Sequence, residues 1–444
     1  MISGTPGGLK PRSVLLFAAV ACFVAVIAIT FVSSADDSDA DYVSEILEKD
    51  GFTAYLYLYG EDQYDLRVTI YDGKDANPVI PDYFTYQGKN YGPTDVDLSM
   101  FEGESFRSPA RTMTVLTLPD TVTAVRGDGS IFKKLETVNI GSGFDDDTYS
   151  NVSFLEDMTT LKSVNVADGN TMYSSSDGVL FTASKDELTF YPFEKDDKSF
   201  TIPKPTTHIS EGSHIHENRY LGNISVEAGN TAFSSTGDGV LYDYGMTTIV
   251  LYPSASTTVV YEMPEGITHL TFPLIASCMN TIVFSSTFAD EAIEIGFAAG
   301  YMTIPGGALS SKFGHSERFS MSFVKDTDPP SEVSKASDYD FYRISVDGLA
   351  AFDAPVKVKV YQIRYLATNM HVLHVDTDGT VTEVDGVERS RDGATFSITS
   401  TGFYTYKFND TTVIKDAPLI AAIIAGVGTL IALVTVVKNS RRKA

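Results

Sequence analysis

Two blocks of this chain carry the same phrases about sixty residues apart. Val166-Ala167-Asp168-Gly169-Asn170-Thr171 is followed by Asp177-Gly178-Val179-Leu180, Tyr191-Pro192 and Ile202-Pro203. Val226-Glu227-Ala228-Gly229-Asn230-Thr231 is followed by Asp238-Gly239-Val240-Leu241, Tyr252-Pro253 and Met263-Pro264. Recurrence at a fixed period marks stacked units, each of which buries its apolar face only against its neighbours. Such stacks offer extended binding or spacer surfaces more readily than closed catalytic pockets.

Shorter phrases give the form of each unit. Leu135-Glu136-Thr137-Val138-Asn139-Ile140, Leu161-Lys162-Ser163-Val164-Asn165-Val166, Leu221-Gly222-Asn223-Ile224-Ser225-Val226 and Met279-Asn280-Thr281-Ile282-Val283-Phe284 are apolar at positions one, four and six and polar at position three. This alternation predicts strands with one inward face. A second phrase ends on proline: Leu116-Thr117-Leu118-Pro119, Phe200-Thr201-Ile202-Pro203, Tyr261-Glu262-Met263-Pro264 and Tyr301-Met302-Thr303-Ile304-Pro305. Proline has no amide hydrogen to donate to a ladder, so it should end the strand at the same rung each time. Val122 with Val125, Thr206 with Ile209, and Ile267 with Leu270 then supply the apolar residues of the return path. The insertions at 170–192 and 230–253 read as paired strands, with Asp-Gly as turn chemistry.

Taken as a set, these phrases resemble the BspA-like, Treponema-type leucine-rich repeat family of surface proteins. The match is fullest at 170–203 and 230–264 and at the strands led by Leu135, Leu161 and Leu221. A degenerate first repeat is visible in Val79-Ile80-Pro81 and Tyr91-Gly92-Pro93-Thr94-Asp95-Val96, and the resemblance covers about 52–319. The chain departs from a uniform repeat: Leu135 to Leu161 is twenty-six residues, Leu161 to Leu221 is sixty, and Asp145-Asp146-Asp147 interrupts one unit.

After Asp326 the pattern changes. Asp328-Pro329-Pro330-Ser331 is linker-like, and six segments of two-residue period follow, beginning at Tyr339, Val356, Met370, Val381, Ala394 and Gly402. They suggest a small antiparallel sandwich. The expected class is mainly β: an irregular leucine-rich repeat solenoid, a small β-sandwich module and one C-terminal transmembrane helix. The corresponding boundaries are 36–320 for the repeats with their N-terminal cap, 321–330 for a linker, 331–416 for the sandwich, 417–437 for the helix and 438–444 for a basic cytoplasmic tail.

The ends set an expected location. Val14 to Val32 is apolar behind Lys10 and Arg12 and ahead of Ser33-Ser34-Ala35, which reads as a secretory signal over 1–35, or alternatively as an uncleaved anchor. Ala417 to Val437 is uncharged, and Lys438, Arg441, Arg442 and Lys443 follow it. At about 1.5 Å per residue a helix of that length spans the apolar layer of a membrane, and the basic stub holds its end in the cytoplasm. The body would then be extracellular. Between Asp36 and Asp416 lie all 58 acidic residues but only 27 of the 33 Lys and Arg, a formal charge of −31. Nucleic acid and anionic lipid are poor partners for such a surface; divalent cations would screen it, and a cationic partner would suit it.

Only Cys22 and Cys278 occur, so the exterior part has no intrachain disulfide, and Cys278 reads as a buried small apolar residue. Asn151, Asn223 and Asn409 open glycosylation triplets.

Chemistry-bearing patterns are sparse. His371 and His374 should face opposite ways on a strand, His214 and His216 the same way, with Glu211 and Glu217 a thin basis for completing a metal set. Runs of aspartate at 36–41 and 145–147 lack the alternating ligand spacing of a calcium loop, and Asp376-Thr377-Asp378-Gly379 fits a hairpin turn equally well. No nucleophile elbow or phosphate loop is present. We expect no catalytic, cofactor or metal site. The 24 tyrosines suggest rigid contact area on a solvated strand face; Tyr55, Tyr57 and Tyr59 read equally as such contacts or as a cap packed on the first repeat. The expected function is a membrane-anchored, adhesin-like surface protein that contacts a protein, a glycan or another cell. The rivals are a laterally self-associating envelope protein and, behind it, an exterior hydrolase using paired carboxylates.

Overall fold

The computed structural model describes residues 43–59, 63–102, 108–145, 152–315, 317–327, 340–361, 370–376, 379–390 and 393–408. The fold is mainly β and β-solenoid-like. Each leucine-led phrase forms a strand: Thr137–Ile140, Ser163–Val166, Asn223–Val226 and Thr281–Phe284. Leu135, Leu161, Leu221 and Met279 are buried, as are Val138, Val164, Ile224 and Ile282. Alternate side chains of a strand project to opposite faces, so this spacing commits one face to the core. Each buried leucine anchors its rung, and truncation to alanine would cost about 2–5 kcal/mol.

Three of the proline-ended phrases lie parallel to the leucine-led strand that follows. Leu116 pairs with Val138, Phe200 with Ile224 and Tyr261 with Ile282. The fourth phrase departs from expectation. Gly300–Ile304 runs antiparallel to both Ile293–Phe297 and Ala351–Tyr361. Ala298 and Ala299 turn the chain straight back, so this segment is the second arm of a hairpin and not a rung. The return path forms further parallel pairs: Asp95–Asp97 with Ala124–Arg126, Glu187–Phe190 with His208–Ile209, and Thr248–Leu251 with His269–Leu270.

The uneven spacing of the leucine-led strands has a structural cause. Between Ser163–Val166 and Ser199–Ile202 the chain inserts Tyr173–Ser176, Val179–Thr182 and Glu187–Phe190, an antiparallel set. The next block inserts Phe233–Ser235, Leu241–Asp243 and Thr248–Leu251 in the same way. A register shift falls between Leu180 and Phe181 in the first and between Leu241 and Tyr242 in the second. Each sixty-residue block is therefore one long turn carrying a hairpin plus one short turn. The Asp-Gly turn of the first hairpin has φ of 50° at Asp177 and 77° at Gly178, the left-handed pair that a tight two-residue turn needs.

Three asparagines tie successive turns together. Asn218 is fully buried; its Nδ2 donates to the carbonyls of Pro192, Phe193 and Lys195, and its Oδ1 accepts from the amides of Tyr220 and Leu221. Asn170 and Asn230 bond in the same manner to the turn before them and to their own following amides. A buried amide side chain is tolerated because each of its groups has a backbone partner.

The C-terminal strands continue the stack. Residues 321–326, read from sequence as linker, belong to the strand Phe319–Asp326, which pairs antiparallel with Thr281–Phe284 on one side and Phe341–Val346 on the other. Phe319, Met321 and Phe323 alternate inward, which is the period-two signal that the nearby prolines masked. Two sheets result. One runs from Val260–Glu262 to Val381–Glu383 and the other from Leu274–Ile275 to Glu388–Ser390. A single apolar cluster spans Val240 to Tyr406, so the last rungs and the C-terminal strands share one core. The segments 1–35, 417–437 and 438–444 lie outside the described residues; among those described, no helix is long and apolar enough to cross a membrane.

Candidate binding surface

The solvent face of the parallel strands carries hydroxyl and amide groups. The outward residues of five rungs, three in one sheet and two in the next, are Val115 and Thr117, Thr137 and Asn139, Ser163 and Asn165, Ser199 and Thr201, and Asn223 and Ser225. None is charged. They bond across the rungs: Asn139 Nδ2 donates to Thr117 Oγ1 at 3.0 Å, Asn165 Nδ2 to Asn139 Oδ1 at 3.0 Å, and the Thr201 and Ser225 hydroxyls lie 2.8 Å apart. Parallel register places like residues at the same height, which is why these short side chains can meet.

Charge gathers at the rim of this face. Lys162 Nζ reaches Glu136 Oε1 at 2.8 Å, and that hydrogen bond raises the lysine's pKa. Glu194 Oε2 accepts from both Arg219 and Tyr220 at 2.7 Å, while the Lys198 ammonium stands 4.9 Å from the Tyr220 ring centre.

A cavity of about 310 Å³ opens between the first hairpin tip and the strand Ser199–Ile202, lined by Ser176, Asp177, Lys195, Asp197, Thr201 and Pro203 among others. Lys195 is buried there. Its Nζ donates to the Asp177 carbonyl and lies 2.5 Å from Asp197 Oδ2. In the second block the corresponding residue is Ser256, whose hydroxyl oxygen accepts from the Tyr252 hydroxyl and the Thr258 amide.

The histidines fall differently from expectation. His214 and His216 do not share a strand: His214 has φ of 55° and joins two short 3-10 turns, Glu211–Ser213 and Ile215–Glu217. Both rings are tucked inward, His214 beside Phe193 and His216 stacked on Phe272. Glu217 Oε1 lies 2.9 Å from His214 Nδ1 and 3.7 Å from His216 Nε2. Burial holds the His216 pKa below its ordinary value, with Glu217 opposing and His214 adding to the depression. His371 and His374 do part, His371 to Glu383 and His374 to the Thr401 carbonyl and the Tyr404 ring. Among the described residues no group of three His, Cys, Asp or Glu converges in a way that could hold a metal ion.

Two further readings need correction. Cys278 is exposed, because a turn donating the Met279 amide to the Ala276 carbonyl gives the buried positions to those two residues. The tyrosines do not populate the solvent ladder: Tyr191, Tyr242, Tyr252, Tyr261, Tyr342, Tyr404 and Tyr406 are buried, and the ladder face has Thr, Ser and Asn instead. Tyr55 and Tyr57 are half-buried and Tyr59 exposed, on the side of their strand opposite the buried Phe52, Ala54 and Leu56. Asp145 is exposed, Asp146 and Asp147 lie outside the described residues, and Asp376 closes a hairpin turn by accepting from the Gly379 amide. Of the glycosylation triplets, Asn151 and Asn409 lie outside the described residues, and Asn223 opens a ladder strand.

No family model and no curated protein matches the chain. Among solved structures, it is similar to a leucine-rich cell surface protein of Faecalibacterium prausnitzii A2-165, at 16% identity over 58% of this chain and 80% of that one, with a TM-score of 0.35. It is also similar to the pneumococcal vaccine antigen PcpA, at 16% identity over 57% and 82% with a TM-score of 0.22. A leucine-rich repeat protein of Eubacterium ventriosum ATCC 27560 overlaps at 15% identity over 53% and 72%, with a TM-score of 0.24. Overlaps of this extent leave the functional reading to rest on the strand face itself.

Proposed function

We propose that the chain is an extracellular contact protein, secreted by its N-terminal signal, anchored by the helix 417–437, and displaying the strand ladder to another protein, a glycan or a neighbouring cell. The supporting observation is the uncharged hydroxyl and amide outer surface of five parallel strands, three in one sheet and two in the next, on a chain of formal charge −25. A neutral hydrogen-bonding face within an acidic body directs association to that face, because like-charge repulsion discourages contact elsewhere. The C-terminal strands act in this reading as a sandwich-like spacer between ladder and anchor. The protein works by binding and carries out no catalysis.

The test uses cells that carry the full chain and matched cells that lack it. External protease should reach the 152–315 region on intact cells, and attachment to neighbouring cells should exceed the control. An inaccessible chain, or equal attachment, overturns the reading. Clustering of the chain only with itself favours the laterally assembling envelope protein.

A further inference from the structure

The parallel ladder is broken at two strand edges, Ser199–Ile202 and Val260–Glu262, and the first leaves a vacant strand position beside a groove. Upstream of the gap, the first hairpin satisfies Ser163–Val166: the Val164 amide donates to the Gly178 carbonyl at 2.9 Å and the Val166 amide to Ser175 Oγ at 3.0 Å. Downstream, Ser199–Ile202 pairs on one side only, with Asn223–Val226. The Asn223 amide bonds the Lys198 carbonyl and the Glu227 amide bonds the Ile202 carbonyl, and in a parallel ladder such bonds alternate. Phe200 and Ile202 therefore serve the neighbouring strand, while the backbone groups of Ser199 and Thr201 point the other way, where they have no backbone partner among the described residues. The cavity of about 310 Å³ lies along that open edge.

An open strand edge beside a groove is a template for an added strand, whose main-chain groups complete the ladder. We infer that the edge formed by Ser199 and Thr201 takes an extended, cationic peptide segment of a partner protein. The volume suits a few extended residues. Of the residues lining it, Asp177 and Asp197 are exposed, whereas Lys195 is buried and already engaged by Asp197 and the Asp177 carbonyl. That leaves the rim acidic and complementary to lysine or arginine on the incoming segment. In the second block Asp238 and Glu262 stand where Asp177 and Thr201 do, and Ser256 and Thr258 where Lys195 and Asp197 do; the cavity of about 310 Å³ lies along the first edge. The inference deepens the proposed contact function and rests on it.

The test uses the full chain and a blocked heptapeptide of alternating threonine and valine with a lysine at each end; a glutamate-ended peptide is the comparison. The lysine-ended peptide should bind about tenfold more tightly at low salt, the difference shrinking as salt is added. Hydrogen exchange at the Ser199 and Thr201 amides should slow about tenfold with peptide, while Phe200 and Ile202 stay unchanged. Thr201→Pro removes an edge-facing amide hydrogen and should abolish binding; exchange on the unaltered chain decides the matter if the proline variant does not fold. No slowing at these two amides, equal binding of both peptides, or undiminished binding by a folded Thr201→Pro variant overturns the inference. So does slowing without peptide that grows with protein concentration, which would place a second copy at the edge. Attachment of cells with no peptide binding would sink this inference alone; peptide binding without attachment would sink the contact function.

Discussion

Arg126 Nε lies 2.5 Å from Asp95 Oδ2, across the parallel pair formed by Asp95–Asp97 and Ala124–Arg126, and Arg67 Nε reaches the same oxygen at 3.1 Å from the other side. One largely buried carboxylate thus links three strands at the N-terminal end of the stack. Asp95→Ala removes the acceptor that the two cations share. Both arginines are partly solvated, so the expected loss is about 1–2 kcal/mol, read as a lowered urea midpoint with an unchanged slope.

The asparagines should rank by burial. Asn218→Ala removes five hydrogen bonds inside the stack, leaving the Phe193 and Lys195 carbonyls and the Tyr220 and Leu221 amides without that partner, and should cost about 3 kcal/mol or more. Asn170, only half-buried, should cost less on the same substitution. Equal losses in thermal unfolding would show that burial does not govern these ties.

Acid should loosen the turn that holds His216. Its folded-state pKa is depressed, chiefly by burial against Phe272, so the neutral ring is the form the fold prefers. The stability it contributes is full above the ordinary histidine value of 6.5 and is lost as pH falls through that value towards the depressed one. The facing groups are Glu217, which resists the loss, and His214, which aids it. Protection from hydrogen exchange across 210–218, taken relative to the intrinsic rate at each pH, should fall between pH 7 and pH 5 in the unaltered chain, and His216→Phe should flatten that response.

Alkali should act on the C-terminal core. Burial pushes Tyr404 up to about 12, and Tyr242, Tyr261 and Tyr406 are raised beyond it. A phenol whose folded pKa is raised stabilises the fold below its unfolded value near 10, and that stabilisation is lost as pH climbs. Absorbance of tyrosinate should therefore appear in two stages, the second coinciding with loss of β circular dichroism. A single smooth titration would contradict the burial.

Gly178 meets two demands at once: φ of 77°, and a Cβ that would stand 2.6 Å from Ser163 Oγ. Gly178→Val should cost about 1–3 kcal/mol and quicken exchange at the Val164 amide, which donates to the Gly178 carbonyl. Unaltered exchange there would mean that the hairpin docks independently of its turn.

Much of the stack was legible because its signals are local. Leu161, Val164 and the proline after Ile202 sit at spacings that a strand and its termination impose. The hairpins too announced themselves, through Asp177-Gly178. The order of pairing was not legible, since Gly300–Ile304 looks like a rung until its partner across the sheet is known. The expected linker dissolved for the same reason: Phe319, Met321 and Phe323 find their core only in strands tens of residues away. Nor could composition tell which tyrosines lie inside; Tyr261 and Tyr220 differ by where the chain carries them. The bare edge at Thr201 has no sequence mark at all, because it is defined by the strand that is missing beside it.

The handover from parallel rungs to antiparallel strands at Phe319–Asp326 has a consequence for growth. A parallel stack terminates in a raw ladder on which another stack could be laid, and proteins of this kind would polymerise end to end if nothing intervened. Here the last rung is spent on a strand of opposite sense, so the next unit in line finds a mismatched template. The stack's length is thereby set by its own chain.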